Sequence, residues 1–141
     1  MKGFFLELCN KILSLDPAIR FIGIADEHGT LLATAERDGL VPLLNREETI
    51  QYAITAATRQ YTRIRWQAIL GKIDYTCSHY DKLLRVTIPL TDRSNRLSFV
   101  LIFTFEVNTN NFHQIIMDRV IPIVRKHTTR LLREKSKGQL A

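Results

Sequence analysis

The sequence is poor in the residues that build common metal and cofactor sites. Its 141 residues include only two cysteines, Cys9 and Cys77, which cannot form a disulfide framework or a cysteine-rich zinc site. Both stand in apolar stretches and are predicted to be small core residues. The six glycines are never spaced as in a phosphate-binding loop or a dinucleotide fingerprint. We therefore expect no metal, no cofactor, no catalytic residues and no enzymatic activity.

The histidines and their acidic neighbours do not form a ligand set either. Residues 26–28, an Asp-Glu-His sequence, fall in a predicted hairpin turn, where polar residues are expected without a metal. His113 and His127 lie on the last predicted helix, about 21 Å apart along its axis. They cannot share one metal ion.

The chain also lacks an apolar run long enough to cross a membrane. The run Phe4-Phe5-Leu6 is followed by the charged residues Glu7 and Lys11, and no small-residue cleavage site comes after it. We expect a cytoplasmic protein with no membrane span.

What is present fits one domain with a single core. Apolar residues make up 45% of the chain and charged residues 24%, which is ordinary for a globular protein. A domain over residues 1–134 is predicted, followed by a flexible basic tail over residues 135–141.

The order of predicted elements indicates the fold. Apolar spacing of three and four predicts helices near residues 5–15, 45–69 and 112–134. Strands are predicted near residues 21–25, 30–34, 73–79, 83–90 and 97–107. The order α-β-β-α-β-β-β-α predicts an α/β (α+β) domain, a profilin-like sandwich around a central five-stranded antiparallel sheet. The middle helix should cover one face of the sheet, and the two terminal helices should cover the other.

The middle helix carries two stripes of side chains about 200° apart. One is predicted to pack on the sheet, and it consists of Ile50, Ile54, Ala57, Tyr61, Ile64 and Ala68. The other is a candidate partner-binding face, and it consists of Tyr52, Ala56, Arg59, Arg63 and Trp66. Tyr, Trp and Arg are enriched at interface hot spots, although amphipathic side chains can also lie along a solvated face.

The net charge of +6 is concentrated near the C-terminus. Residues 113–141 carry seven basic and two acidic side chains. Four of the cations form one stripe: Lys126, Arg130, Arg133 and Lys137. This stripe is either a solvated helix face or a weak site for nucleic acid or anionic surfaces.

Several motifs resemble a family of small uncharacterised proteins from ammonia-oxidising archaea. They are the stretches IRFIGIAD at 19–26 with Gly29, GLVPLL at 39–44, GKIDY at 71–75 and DKLLRVTIPL at 81–90. The element order also resembles the roadblock and longin-like branch of the profilin-like folds. The archaeal family has no established chemistry, so the resemblance supplies no catalytic residue.

The roadblock resemblance implies a non-enzymatic interaction, scaffold or regulatory module. Such modules generally act as dimers that bind small GTPases or scaffolds, so we expect a homodimer with a protein partner of that kind. Two alternatives stay open. One is a nucleic-acid-associated protein that uses the basic final helix. The other is a small-ligand sensor, because a curved five-stranded sheet can hold a pocket.

Overall fold

A computed structural model describes the backbone of residues 2–140 and the side chains of residues 3–136. The helices are α1 (Lys2–Leu13), α2 (Arg46–Ile64), α3 (Gln67–Leu70), α4 (Phe112–Ile115) and α5 (Ile121–Leu140). The strands are β1 (Ile19–Asp26), β2 (Leu31–Glu36), β3 (Thr76–His79), β4 (Leu83–Thr91) and β5 (Leu97–Glu106). No helix of this described part of the chain is long and apolar enough to span a membrane.

The five strands form one antiparallel sheet in the order β2-β1-β5-β4-β3. The predicted α+β fold with a central five-stranded antiparallel sheet is therefore confirmed. The long strands β4 and β5 lie in the interior and are buried along nearly their whole length. The shorter β2 and β3 form the two edges.

The two faces of the sheet are covered as predicted. Helix α1 and the helical run from α4 to α5 cover one face, where large side chains such as Leu8, Phe103 and Ile116 form the main core. Helix α2 covers the other face over a smaller cluster rich in alanine. Cys9 is buried in the main core, and this burial raises the pKa of its thiol to about 12.

The side chain of a single aspartate stabilises the turn between β1 and β2. One carboxylate oxygen of Asp26 accepts hydrogen bonds from the backbone N–H groups of His28 (2.9 Å) and Thr30 (3.0 Å). Gly29 then adopts a positive φ of 84°, which favours glycine. The turn brings Gly29 against α2, and this contact sets how closely the helix approaches the sheet.

Three predicted boundaries need correction. The middle helix is not continuous to residue 69, because α2 ends at Ile64 and the short α3 starts after Trp66. The third strand starts at Thr76 rather than residue 73, since the N–H of Ile73 donates to the side chain of Gln67 instead of to a strand. The last helix, predicted as one continuous helix, contains a π-helical turn, Ile116–Val120, ahead of Pro122.

The predicted tail is helical as far as the backbone is described. Helix α5 runs through residue 134 to Leu140, and Lys135 forms an ion pair with Glu27. The domain boundary and the flexibility of the tail stay predictions. Ala141 lies outside the described residues.

Candidate interaction surface on the middle helix

Helix α2 has a well-defined start. The side chain of Asn45 accepts a hydrogen bond from the N–H of Glu48 (2.8 Å), and the Glu48 carboxylate accepts one from the N–H of Asn45 (2.9 Å). This reciprocal pair is a capping box. The cap fixes where the helix begins and therefore which residues face the sheet.

Small residues, not large ones, form the sheet-facing side of α2. Ala53, Ala56, Ala57 and Gln60 are buried there. The alanines let the helix backbone come close to the sheet, and the backbone of Ile54 lies against Gly29. The close approach leaves no room for a row of large side chains between helix and sheet.

The predicted sheet-facing stripe is therefore largely wrong. Ile50, Ile54 and Tyr61 are 39%, 43% and 51% exposed. They lie within about 40° of one another around the helix axis, on its flank rather than beneath it. Only Ala57 and, in part, Ile64 take the predicted inward position. The periodicity was right, but the assumption that the largest apolar side chains point inward was not.

The five residues predicted to bind a partner do not share one free face. Ala56 is only 3% exposed and packs under the helix, so its predicted contact with a partner is wrong. Tyr52 is half-buried, with the guanidinium of Arg85 3.6 Å from its ring centroid. Arg59 and Trp66 are exposed and Arg63 is half-buried. A partner-binding role for these four stays a prediction.

Six large apolar side chains between residues 50 and 70 are exposed on α2, on α3 and at the junction of the two helices, and they are Ile50, Ile54, Tyr61, Trp66, Ile69 and Leu70. We call these six residues the α2–α3 surface. Ile69 and Leu70 are 76% and 79% exposed, which is unusual for large aliphatic side chains that follow one another on a helix. Several large apolar side chains exposed near one another mark an interaction site more often than a single exposed apolar side chain does.

Gln60 is the least expected residue beneath the helix. Its side chain is 0% exposed, and neither its amide oxygen nor its amide nitrogen has a hydrogen-bond partner. A buried amide without partners costs free energy, and an apolar side chain of similar length does not.

We therefore expect the substitution Gln60→Met to keep or raise the free energy of unfolding, by about 1 kcal/mol. Chemical denaturation followed by circular dichroism measures it. The exposed Gln51→Met is the matched control, and it should change stability little. A clear loss of stability in Gln60→Met would show that the amide has a partner in solution.

The basic stripe on the last helix is only partly free. Lys126, Arg130 and Arg133 are exposed, but the guanidinium of Arg130 lies 4.1 Å from the ring centroid of Phe4. The side chain of Lys137 lies outside the described residues. Binding of nucleic acid by this stripe stays a prediction.

Within the described residues, no group of three or more His, Cys, Asp or Glu side chains could hold a metal ion.

No protein-family model and no curated protein matches the chain. Solved structures do match it. A structure of MglB with a tetrameric arrangement has a TM-score of 0.69 at 14% identity and covers 94% of this chain and 90% of its own. The gliding protein MglB from Thermus thermophilus has a TM-score of 0.68 at 13% identity and covers 94% and 91%. A roadblock/LC7 domain from Streptomyces avermitilis has a TM-score of 0.62 at 10% identity and covers 88% and 97%.

At sequence identities this low, the comparison shows similarity of fold alone. The predicted roadblock resemblance is confirmed at that level, whereas the resemblance to proteins of ammonia-oxidising archaea stays a prediction. The element order, the sheet and the placement of the helices together give this chain the roadblock fold.

Proposed function

We propose that the protein is a non-enzymatic interaction module that works as a homodimer or as a subunit of a small assembly. The observation that carries the proposal is the α2–α3 surface, on which six large apolar side chains are exposed along consecutive helices. Covering them with a partner would remove their apolar area from water, which is the main favourable term in protein association.

The composition of the surface also fits an interface. Tyr61 and Trp66 are the aromatic anchors, each about half exposed. Arg59 and Arg63 lie on the opposite side of α2 from Tyr61, so they do not border it on the helix. Interfaces commonly have a central aromatic or aliphatic cluster. Ala56 takes no part, since it is buried under the helix.

The comparison structures support assembly as a property of this fold, since one of them is an MglB in a tetrameric arrangement. The roadblock resemblance suggests a small GTPase or a scaffold protein as the further partner.

We expect the double substitution Tyr61→Ala and Trp66→Ala to weaken assembly strongly. Each anchor is expected to contribute about 2 kcal/mol, roughly a 30-fold change in dissociation constant. Sedimentation equilibrium over a range of concentrations measures the change. Leu6→Ala is the control, because Leu6 is a similarly exposed apolar residue on α1, across the sheet.

Two results would count against the proposal. A wild-type protein that stays monomeric at high micromolar concentration would exclude the homodimer. A double variant that assembles like the wild type would show that another surface holds the copies together.

A further inference from the structure

A small cavity lies between the sheet and the first turns of α2. Its volume is about 60 Å³. It is lined by Phe21 of β1, Thr104 of β5 and Arg85 of β4, and by Leu40 and Leu44 from the connection between β2 and α2. The cavity lies beneath α2 and does not involve the exposed α2–α3 surface.

Arg85 is the unusual member of this lining. The residue is only 9% exposed, and its Nε has no hydrogen-bond partner. Its guanidinium stacks on Tyr52, 3.6 Å from the ring centroid. Burial lowers the pKa of Arg85, but an arginine keeps its proton at neutral pH. The cavity wall therefore contains a buried positive charge.

No carboxylate in the described part of the chain balances this charge. The ion pairs found within 4.0 Å do not include Arg85. The neighbouring Arg20 is paired with Glu106 at 2.8 Å. Glu36 also lines the cavity, but it is exposed and forms no ion pair in this set. A buried cation without a counter-charge is costly, and an aromatic ring offsets only part of that cost.

We propose that the cavity binds a small carboxylate, with the carboxylate group on the guanidinium of Arg85 and the short apolar part against Phe21, Leu40 and Leu44. A planar guanidinium matches a carboxylate with two parallel hydrogen bonds. The Thr49 and Thr104 side chains also line the cavity. This ligand-binding role is additional to the proposed interaction module and does not depend on it.

The size and lining select the ligand class. Since one water needs roughly 10–15 Å³ of such space, the cavity has room for on the order of four non-hydrogen atoms, the size of acetate or propionate. Most of the other lining side chains are apolar, which favours a carboxylate with a hydrocarbon part. Phosphate or sulfate would bring more charge than one unpaired arginine can balance.

The test is titration of the full chain with propionate at constant ionic strength in a buffer free of carboxylates. Thermal unfolding and amide chemical shifts are recorded together. We expect the unfolding midpoint to rise with propionate concentration and saturate, and the amides of residues lining the cavity, Phe21 among them, to shift. Acetate should act similarly, and phosphate at the same ionic strength should act at least 10-fold more weakly.

Arg85→Met removes the charge and keeps the length of the side chain. It should fold at least as stably as the wild type without ligand, because a buried unpaired charge is gone, and it should lose the response to propionate. Arg93→Met is the control, because Arg93 is an exposed arginine in the turn between β4 and β5 that does not line the cavity, and it should keep the response. If Arg85→Met does not fold, Arg85→Lys replaces it, and at least a 10-fold weaker response is expected because the two-pronged donor is lost.

Three results would overturn the proposal. One is a wild-type protein that shows no saturable response, or an equal response to phosphate. Another is an Arg85→Met variant that folds and still responds like the wild type. The third is an Arg85→Met variant that loses self-assembly, since Arg85 would then receive an acidic side chain of a second copy instead of a small carboxylate.

Discussion

Gly29→Ala is expected to lower the free energy of unfolding by roughly 3 kcal/mol. Gly29 has a φ of +84°, and a Cβ at this position would lie 2.5 Å from Cα of Ile54 and 2.9 Å from the carbonyl oxygen of Ala53. These atoms belong to a helix backbone and cannot rotate away as a flexible side chain could. Helix α2 would have to move off the turn, which would loosen the packing of Ala53 on the sheet.

Gly39→Ala separates the cost of the backbone strain from the cost of the steric clash with α2. Gly39 also has a positive φ, of 76°, but no heavy atom lies within 4 Å of the position that its Cβ would take. The backbone strain alone should then cost about 1 kcal/mol. Urea denaturation followed by circular dichroism measures both variants. Equal losses in the two would show that α2 is not pressed against the β1–β2 turn in solution.

Arg37→Ala is expected to destabilise the protein by about 3 kcal/mol. The Arg37 guanidinium donates to three backbone carbonyls: Leu13 at 2.7 Å, Asp16 at 2.9 Å and Ile19 at 2.9 Å. Leu13 is the last residue of α1, where unpaired carbonyls and the helix dipole favour a cation. One side chain therefore joins the end of α1, the following turn and the start of β1.

Arg37→Lys tests whether the fork of the guanidinium matters. A lysine keeps the charge but cannot reach three separated carbonyls in one geometry, so we expect an intermediate loss of stability. Arg93→Ala, in the exposed turn between β4 and β5, should have little effect and serves as the surface control. The same urea denaturation compares all three variants. A lysine variant as stable as the wild type would mean that charge alone accounts for the contribution of Arg37.

The architecture could be predicted from sequence because it depends on local patterns. Helical spacing, strand-length apolar runs and turn residues such as Asp26 and Gly29 each act over a few positions and indicated the same fold. The break after Ile64 was not predictable in this way. Neither was the three-carbonyl contact of Arg37, since a lone arginine in a loop carries no pattern.

The prediction of which side of α2 faces the sheet failed for a different reason. Spacing identified the helix, but which flank faces the sheet depends on how close the sheet lies, and that distance is set by Gly29 and the alanines. The cavity at Arg85 depends on tertiary structure in the same way. Arg85 and Tyr52 belong to different elements, and only the packing of α2 on the sheet brings them together.

The unequal covering of the sheet has a consequence for how binding and folding are linked. Helix α2 is held to the sheet mainly by alanine-sized contacts, whereas the opposite layer is held by phenylalanine, leucine and isoleucine. Opening of the α2 layer alone would therefore expose less apolar area than opening of the opposite layer would. A partner that binds only the closed arrangement of α2 adds its binding free energy to this weaker layer. In the proposed assembly, partner concentration would thus set the local stability of α2, while the rest of the domain stays folded with or without it.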